Sequence, residues 1–254
     1  MSGAPQGDGE DAERDAHALR AKIAQELIDA VRDVPPASVS DALSRTCVAF
    51  LPDLSGLSLS VLGQGAGVGV VLFASDGVAA QLAEFQYTLG EGPCTEAARL
   101  RAPVFADDLT RPPDTRRWPL FCAQAVRAGA RAVFSVPLPG AGGTLGTLDL
   151  YRTAAGPLDV GEVRTALLVA DALTLAVTTL DHASAETGGA VLWLQGAESD
   201  REEIHQATGM IMVRLGVSAE EALLRLRARA FARGSTSLDT ARAVIDGTMD
   251  MGHE

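Results

Sequence analysis

Arg225, Arg229 and Arg233 recur at every fourth position. On a helix this spacing keeps them on one face, spread over about 12 Å of its length. Each guanidinium can grip a phosphate with two parallel hydrogen bonds or bond a base edge. The same row also fits a solvated face, with Glu220 and Glu221 near enough to pair with it. Arg227 falls instead on the arc shared by Ala222, Leu223, Leu224, Leu226, Ala230 and Phe231, which must be buried. Its stem therefore packs and its head reaches a rim. Upstream, Ile204, Ala207, Ile211 and Leu215 form one stripe and leave Met210, Met212 and Val213 outside it. Ala207, Thr208 and Gly209 put small residues in mid-helix, where Gly costs about 1 kcal/mol relative to Ala. Close helix approach or a backbone contact with a ligand would offset that cost.

The remaining reactive side chains are sparse. Cys47, Cys94 and Cys122 make an odd set with no CxxC, so neither a disulfide framework nor a zinc site is expected. Cys94 follows Pro93 at the end of a glycine turn and reads as a redox-sensing or ligand-bonding thiol, or as a small buried residue. His17, His182, His205 and His253 all lie outside the strand-forming region, which excludes histidine-based catalysis there. No P-loop, HExxH or GxSxG motif is present. No metal site is expected, no cofactor can be named, and the chain is expected not to be an enzyme.

These groups must be positioned by elements legible in the apolar pattern. Residues 1–16 are Gly, Asp, Glu and Ala with little to bury, and read as a disordered tail. Leu19, Ile23, Leu27 and Val31 step by four, so residues 17–37 form a lead-in helix whose narrow stripe could meet a second chain. Residues 38–183 hold a helix, two adjacent strands (57–62 and 67–74), a helical patch at 78–87, a short strand within 102–109, a helix ending at Gly129, and two strands around a Gly-rich hairpin. A long helix from about Leu158 to His182 closes this part. One antiparallel sheet with flanking helices follows from that order, an α+β fold. A linker covers 184–198, and 199–248 read as a three-helix bundle broken at Gly216 and Gly234. Ser218 with Glu221 forms a capping box that starts its middle helix.

The chain has 254 residues, a formal net charge of −12 and 4% aromatic residues. That charge excludes a protein that coats nucleic acid with its whole surface, and leaves room for a local basic face. No stretch reads as a membrane span or a signal peptide, so no membrane partner and a reducing cytoplasm are expected.

"LGEGPCTEAARLRAPVFADDLTRPPDTRRWPLFCAQAVRAGARAVFSVPL", followed by "GTLGTLDLY", resembles a GAF domain of the kind actinobacteria fuse to a C-terminal output unit. The resemblance implies a sheet with a pocket on one face, often for a small molecule. Order along the chain puts Phe73, Phe85, Cys94, Trp118 and Phe121 on the pocket side. Some GAF-like domains reduce sulfoxides with paired cysteines, for which Cys94 and Cys122 would be the candidates.

Ile204, Gln206, Ala207, Gly209, Met210, Met212, Arg214, Ala222, Leu226, Arg227, Ala230 and the closing "LDTARAVI" resemble the ANTAR domain. That resemblance implies a three-helix unit that binds tandem RNA hairpins, usually as a dimer, and keeps a terminator from forming. Thr208 stands where many members carry Lys, which removes a phosphate contact; Leu223 replaces a common aromatic. With the arginine row, the expected RNA-contacting set is Gln206, Thr208, Gly209, Arg214, Arg225, Arg227, Arg229 and Arg233. The whole chain thus reads as a homodimeric antitermination regulator that senses a small-molecule ligand, redox state or partner. The alternatives are a protein-interaction regulator without RNA binding and a cysteine-dependent sulfoxide reductase. A DNA-binding helix-turn-helix is disfavoured, because the middle helix lacks the residue mixture that reads base edges in the major groove.

Overall fold

A computed structural model describes residues 7–32, 34–35, 38–62, 69–140, 143–187 and 192–251. Helices α1 (Gly7–Val31) and α2 (Val39–Phe50) lead into strands β1 (Gly56–Leu62) and β2 (Gly69–Ala74). Helix α3 (Gly77–Leu89), helix α4 (Pro93–Leu100), strand β3 (Val104–Ala106) and helices α5 (Asp114–Arg117) and α6 (Pro119–Arg127) follow. The hairpin of β4 (Ala132–Gly140) and β5 (Gly143–Arg152) and the long α7 (Val160–Thr187) complete the larger domain. Helices α8 (Leu192–Leu215), α9 (Ala219–Arg233) and α10 (Ser237–Ile245) form the bundle.

The strands pair antiparallel in the order β2-β1-β5-β4-β3. Their period of two divides the sheet into unlike faces. Leu57, Leu59, Phe134, Val136, Leu138, Leu148 and Leu150 point to one side, where Ile23, Leu27, Leu43, Val169 and Leu173 from α1, α2 and α7 cover them. Ser58, Ser135, Thr147 and Asp149 alternate with them and face the other side, buried under α3 and α4. The polar residues of "LSLS" and "TLDL" are therefore interior, and the domain has helices on both faces of its sheet.

The lead-in stripe is used inside the chain. Ile23 and Leu27 are fully buried, α1 packs on α7 and α2, and Arg20 stands 3.9 Å from Asp171. The helix also starts ten residues earlier than the stripe predicts, because Glu, Ala and Arg before His17 are good helix formers and the Asp residues near its start suit the helix dipole, once its later turns are packed. Residues 1–6 of the expected tail lie outside the described residues. Helix α4 has no counterpart in the apolar pattern; Gly92 at its N-cap and Pro93 in its first turn mark its start. Most of the expected 184–198 linker is helical, with α7 reaching Thr187 and α8 beginning at Leu192. Ser218 caps α9 by accepting from the Glu221 N–H at 3.2 Å, and Thr236 caps α10 through the Asp239 N–H at 2.9 Å.

Candidate functional site

The polar sheet face forms the floor of the candidate site. Asp149 accepts from Ser135 Oγ at 2.5 Å and from Thr147 Oγ1 at 3.1 Å. Burial pushes its carboxyl up to about 6, against the lowering effect of the two hydroxyls. The Cys94 thiol neighbours this group; burial raises it well above the ordinary thiol range, and the Asp149 charge raises it further. The position of Cys94 is set from α3, where fully buried Gln86 accepts its backbone N–H at 2.7 Å. Gly92 permits this approach: it takes φ +135, and a Cβ there would stand 2.7 Å from Gln86 Cγ.

A cavity of about 610 Å³ opens above that floor, within the range of small-molecule sites. Ser60, Thr147, Cys94 and Phe85 belong to its wall on the sheet side. The opposite wall comes from the small bundle: Ile204, Arg227, Phe231 and the turn into α10. The two domains meet beside it along α3. Thr88 and Ser237 share a buried hydroxyl–hydroxyl hydrogen bond of 3.0 Å. Glu84 accepts from Thr88 Oγ1 at 2.6 Å and from the Ser237 N–H at 3.1 Å. It thereby satisfies a first-turn donor of α10 that has no partner within the helix. Burial raises the Glu84 carboxyl, and the two hydrogen bonds oppose that shift. The guanidinium of Arg227 lies 4.9 Å over the Tyr87 ring, a cation–π contact.

Of the five residues expected on the pocket side, Phe85 and Cys94 line this cavity. Phe73 packs in the core on the apolar sheet face, while Trp118 and Phe121 pack in the core around α6. Order along the chain does not resolve which face a strand residue takes, or how deep a helix residue sits. Cys122 joins Trp118 and Phe121 and is 2% exposed; its thiol is pushed up to about 12, first by burial. Glu84, Tyr87 and Thr88 are not legible as site residues in the sequence; their one signal is an α3 face with more polar groups than a buried helix needs.

In the bundle, Gln206 and Arg214 on α8 are exposed, as are Arg225 and Arg233 on α9; Arg229 is half-buried. Arg225 pairs with Glu221 at 2.6 Å, Arg214 with Asp250 at 3.3 Å, and Arg229 donates to the Asp250 carbonyl at 3.3 Å. Arg227 is apart from this row, at the domain seam. Thr208 is buried and returns its hydroxyl to the Ile204 carbonyl at 2.7 Å. No described atom outside its own helix lies within 4 Å of where a Gly209 Cβ would stand, so close helix packing does not account for this glycine. Leu224 and Phe231, expected to be buried, are 64% and 43% exposed. The bundle is too thin to cover that side of α9, and Phe231 borders the cavity instead.

A family model for the GAF domain matches residues 36–178, and one for the ANTAR domain matches 194–245. The first spans more than half of the chain, which therefore belongs to the GAF domain family; it carries an ANTAR domain C-terminal to it. This pairing makes the protein a regulator by class, with a sensor-type domain joined to an output domain. No curated protein matches the chain. Among solved structures it is similar to the GAF domain of a phosphoenolpyruvate-protein phosphotransferase from Coxiella burnetii, at 16% identity over 66% of this chain and 98% of that one, TM-score 0.48. The GAF domain of the Acinetobacter phosphoenolpyruvate-protein phosphotransferase matches at 12% over 65% and 93%, TM-score 0.47. A type II free methionine-R-sulfoxide reductase from Thermoplasma acidophilum matches at 16% over 57% and 93%, TM-score 0.38. These likenesses carry no argument about function. Among the described residues no helix is long and apolar enough to cross a membrane, and no group of three His, Cys, Asp or Glu could hold a metal ion.

Proposed function

We propose that this chain is a signal-responsive RNA-binding regulator of transcription antitermination, in which a small molecule in the shared cavity sets the availability of the ANTAR domain. The observation that carries this reading is the cavity wall: α3, α4 and the sheet on one side, Ile204, Arg227 and Phe231 on the other. A ligand there touches both domains and so has unequal affinity for docked and undocked arrangements, which is the requirement for shifting one toward the other. Arg227, one of the residues expected to contact RNA, is held over Tyr87 in the docked arrangement. Undocking would release it. The walls are mainly apolar, with hydroxyls from Thr88, Thr95 and Thr147, which suits a compact ligand with a few hydrogen-bonding groups. Redox sensing by Cys94 is the weaker variant, because a thiol kept protonated by burial is a poor nucleophile.

Two chains would place two ANTAR domains on paired hairpins. With Ile23 and Leu27 used internally, the exposed Leu167 and Leu175 of α7 are the candidate dimer contact. A protein-docking role without RNA is the second reading, favoured by the exposed Met210, Val213 and Leu224 on the bundle. Binding to paired-hairpin RNA against a scrambled RNA, across a salt series, separates the two. Selective, salt-sensitive binding that weakens in Arg225→Ala, Arg229→Ala or Arg233→Ala supports antitermination; equal binding to both RNAs at every salt concentration supports protein docking.

A further inference from the structure

Beyond α10 the chain turns back over the bundle. Gly247 takes φ +69, in the left-handed region, and the Met249 N–H donates to the Ala243 carbonyl at 2.9 Å. Met249 and Met251 pack against the bundle core. Asp250 lies between these two anchors and is held over α8 and α9. Its carboxylate stands 3.3 Å from Arg214 Nη2 on α8, and its carbonyl oxygen accepts from Arg229 Nη2 on α9 at 3.3 Å. Two guanidinium groups from two helices thus converge on residue 250, Arg214 on its carboxylate and Arg229 on its main-chain carbonyl, and two arginines brought together in this way can bind one phosphate. The contact is open to exchange: the Arg214 and Asp250 side chains are 57% and 68% exposed, and ion pairs so exposed are weak.

We propose that Arg214 and Arg229 form a phosphate-binding site and that Asp250 occupies it as an internal stand-in, which a phosphodiester of bound RNA displaces. The inference rests on the RNA-binding reading for its ligand, but the site can be probed without RNA. Asp250 then acts as a built-in competitor that lowers RNA affinity and discriminates against stray polyanions. Displacing it is a separate event from undocking at the Tyr87 seam, because both of these guanidinium partners belong to the bundle itself.

The test uses the full chain and its Asp250→Asn variant, with Asp246→Asn, an exposed acid just beyond α10, as the control for bulk charge. Binding to paired-hairpin RNA is measured at low salt. Asp250→Asn is expected to bind about three- to fivefold tighter than the parent, Asp246→Asn much less so, and the gain is expected to vanish when Arg214 and Arg229 are both changed to Ala. A gain that survives the double change, or an Asp250→Asn chain no tighter than the Asp246→Asn control, overturns the proposal. In parallel, the arginine Nε–Hε signals are followed by NMR while inorganic phosphate is added. Shifts of Arg214 and Arg229 that saturate at lower phosphate in Asp250→Asn uphold the site, and identical titrations of the two proteins overturn it. If no form binds RNA, the antitermination reading falls and the phosphate titration alone decides the site.

Discussion

Asp149 is the residue whose chemistry conflicts most with its surroundings. Folded, its carboxyl holds a proton up to about pH 6; unfolded, it releases it near the ordinary Asp value of about 4. Protonated Asp149 therefore favours the folded state fully below about pH 4, and that advantage is lost as the pH rises to about 6. Above that, a buried carboxylate remains as a cost. Asp149→Asn is expected to stabilise the fold at pH 7.5 by about 3 kcal/mol, seen as a raised melting temperature, and to give no gain at pH 4. Paired thermal melts at the two pH values check this. Gly92 is constrained in the opposite sense. With φ +135 and Gln86 Cγ 2.7 Å from any added Cβ, Gly92→Ala is expected to cost about 1–3 kcal/mol in denaturant unfolding. An unchanged midpoint would show that the turn relaxes.

At the scale of elements, the bundle helices depend on groups at their ends. Ser218→Ala and Thr236→Ala each remove a cap and are expected to cost about 1 kcal/mol. Helix α10 has a further cap from outside its own domain, the Glu84 carboxylate on the Ser237 N–H. Glu84→Gln keeps an acceptor oxygen and Glu84→Ala does not. Amide exchange in the first turn of α10 is expected to speed up strongly only in the Ala variant, and equal exchange in both would mean that Glu84 does not hold the helix. Most of these elements were legible beforehand. The period-four stripe of α1, the Gly-rich turn between β4 and β5 and the Ser218 cap are local signals, written in adjacent residues. Helix α4 was not, because eight residues following a glycine turn are too few to show a period.

At the scale of the whole molecule, the seam at α3 joins the GAF and ANTAR domains. Tyr87→Ala removes the ring under Arg227 and is expected to loosen the docked arrangement and raise RNA affinity several-fold, read by the same binding assay. Unchanged affinity would mean that Arg227 is not withheld from RNA by docking. The candidate site was only half legible because its two walls are far apart in the chain. Glu84 and Ser237 lie 153 residues apart, and nothing in either local pattern names the other. Phe73, Trp118 and Phe121 have the right chemistry for a pocket and pack in cores instead.

Taken by itself, the sequence determined the order and type of most elements, the division into a sheet domain and a helical bundle, and the presence of guanidinium groups along α9. Each is set by spacing within one element, where the helical and strand periods assign residues to faces. Only the tertiary structure decided what covers each face. It buried the hydroxyls beside Asp149, placed Arg227 on Tyr87, and folded Asp250 onto Arg214 and Arg229. Those outcomes depend on long-range pairing, which a periodic pattern does not encode.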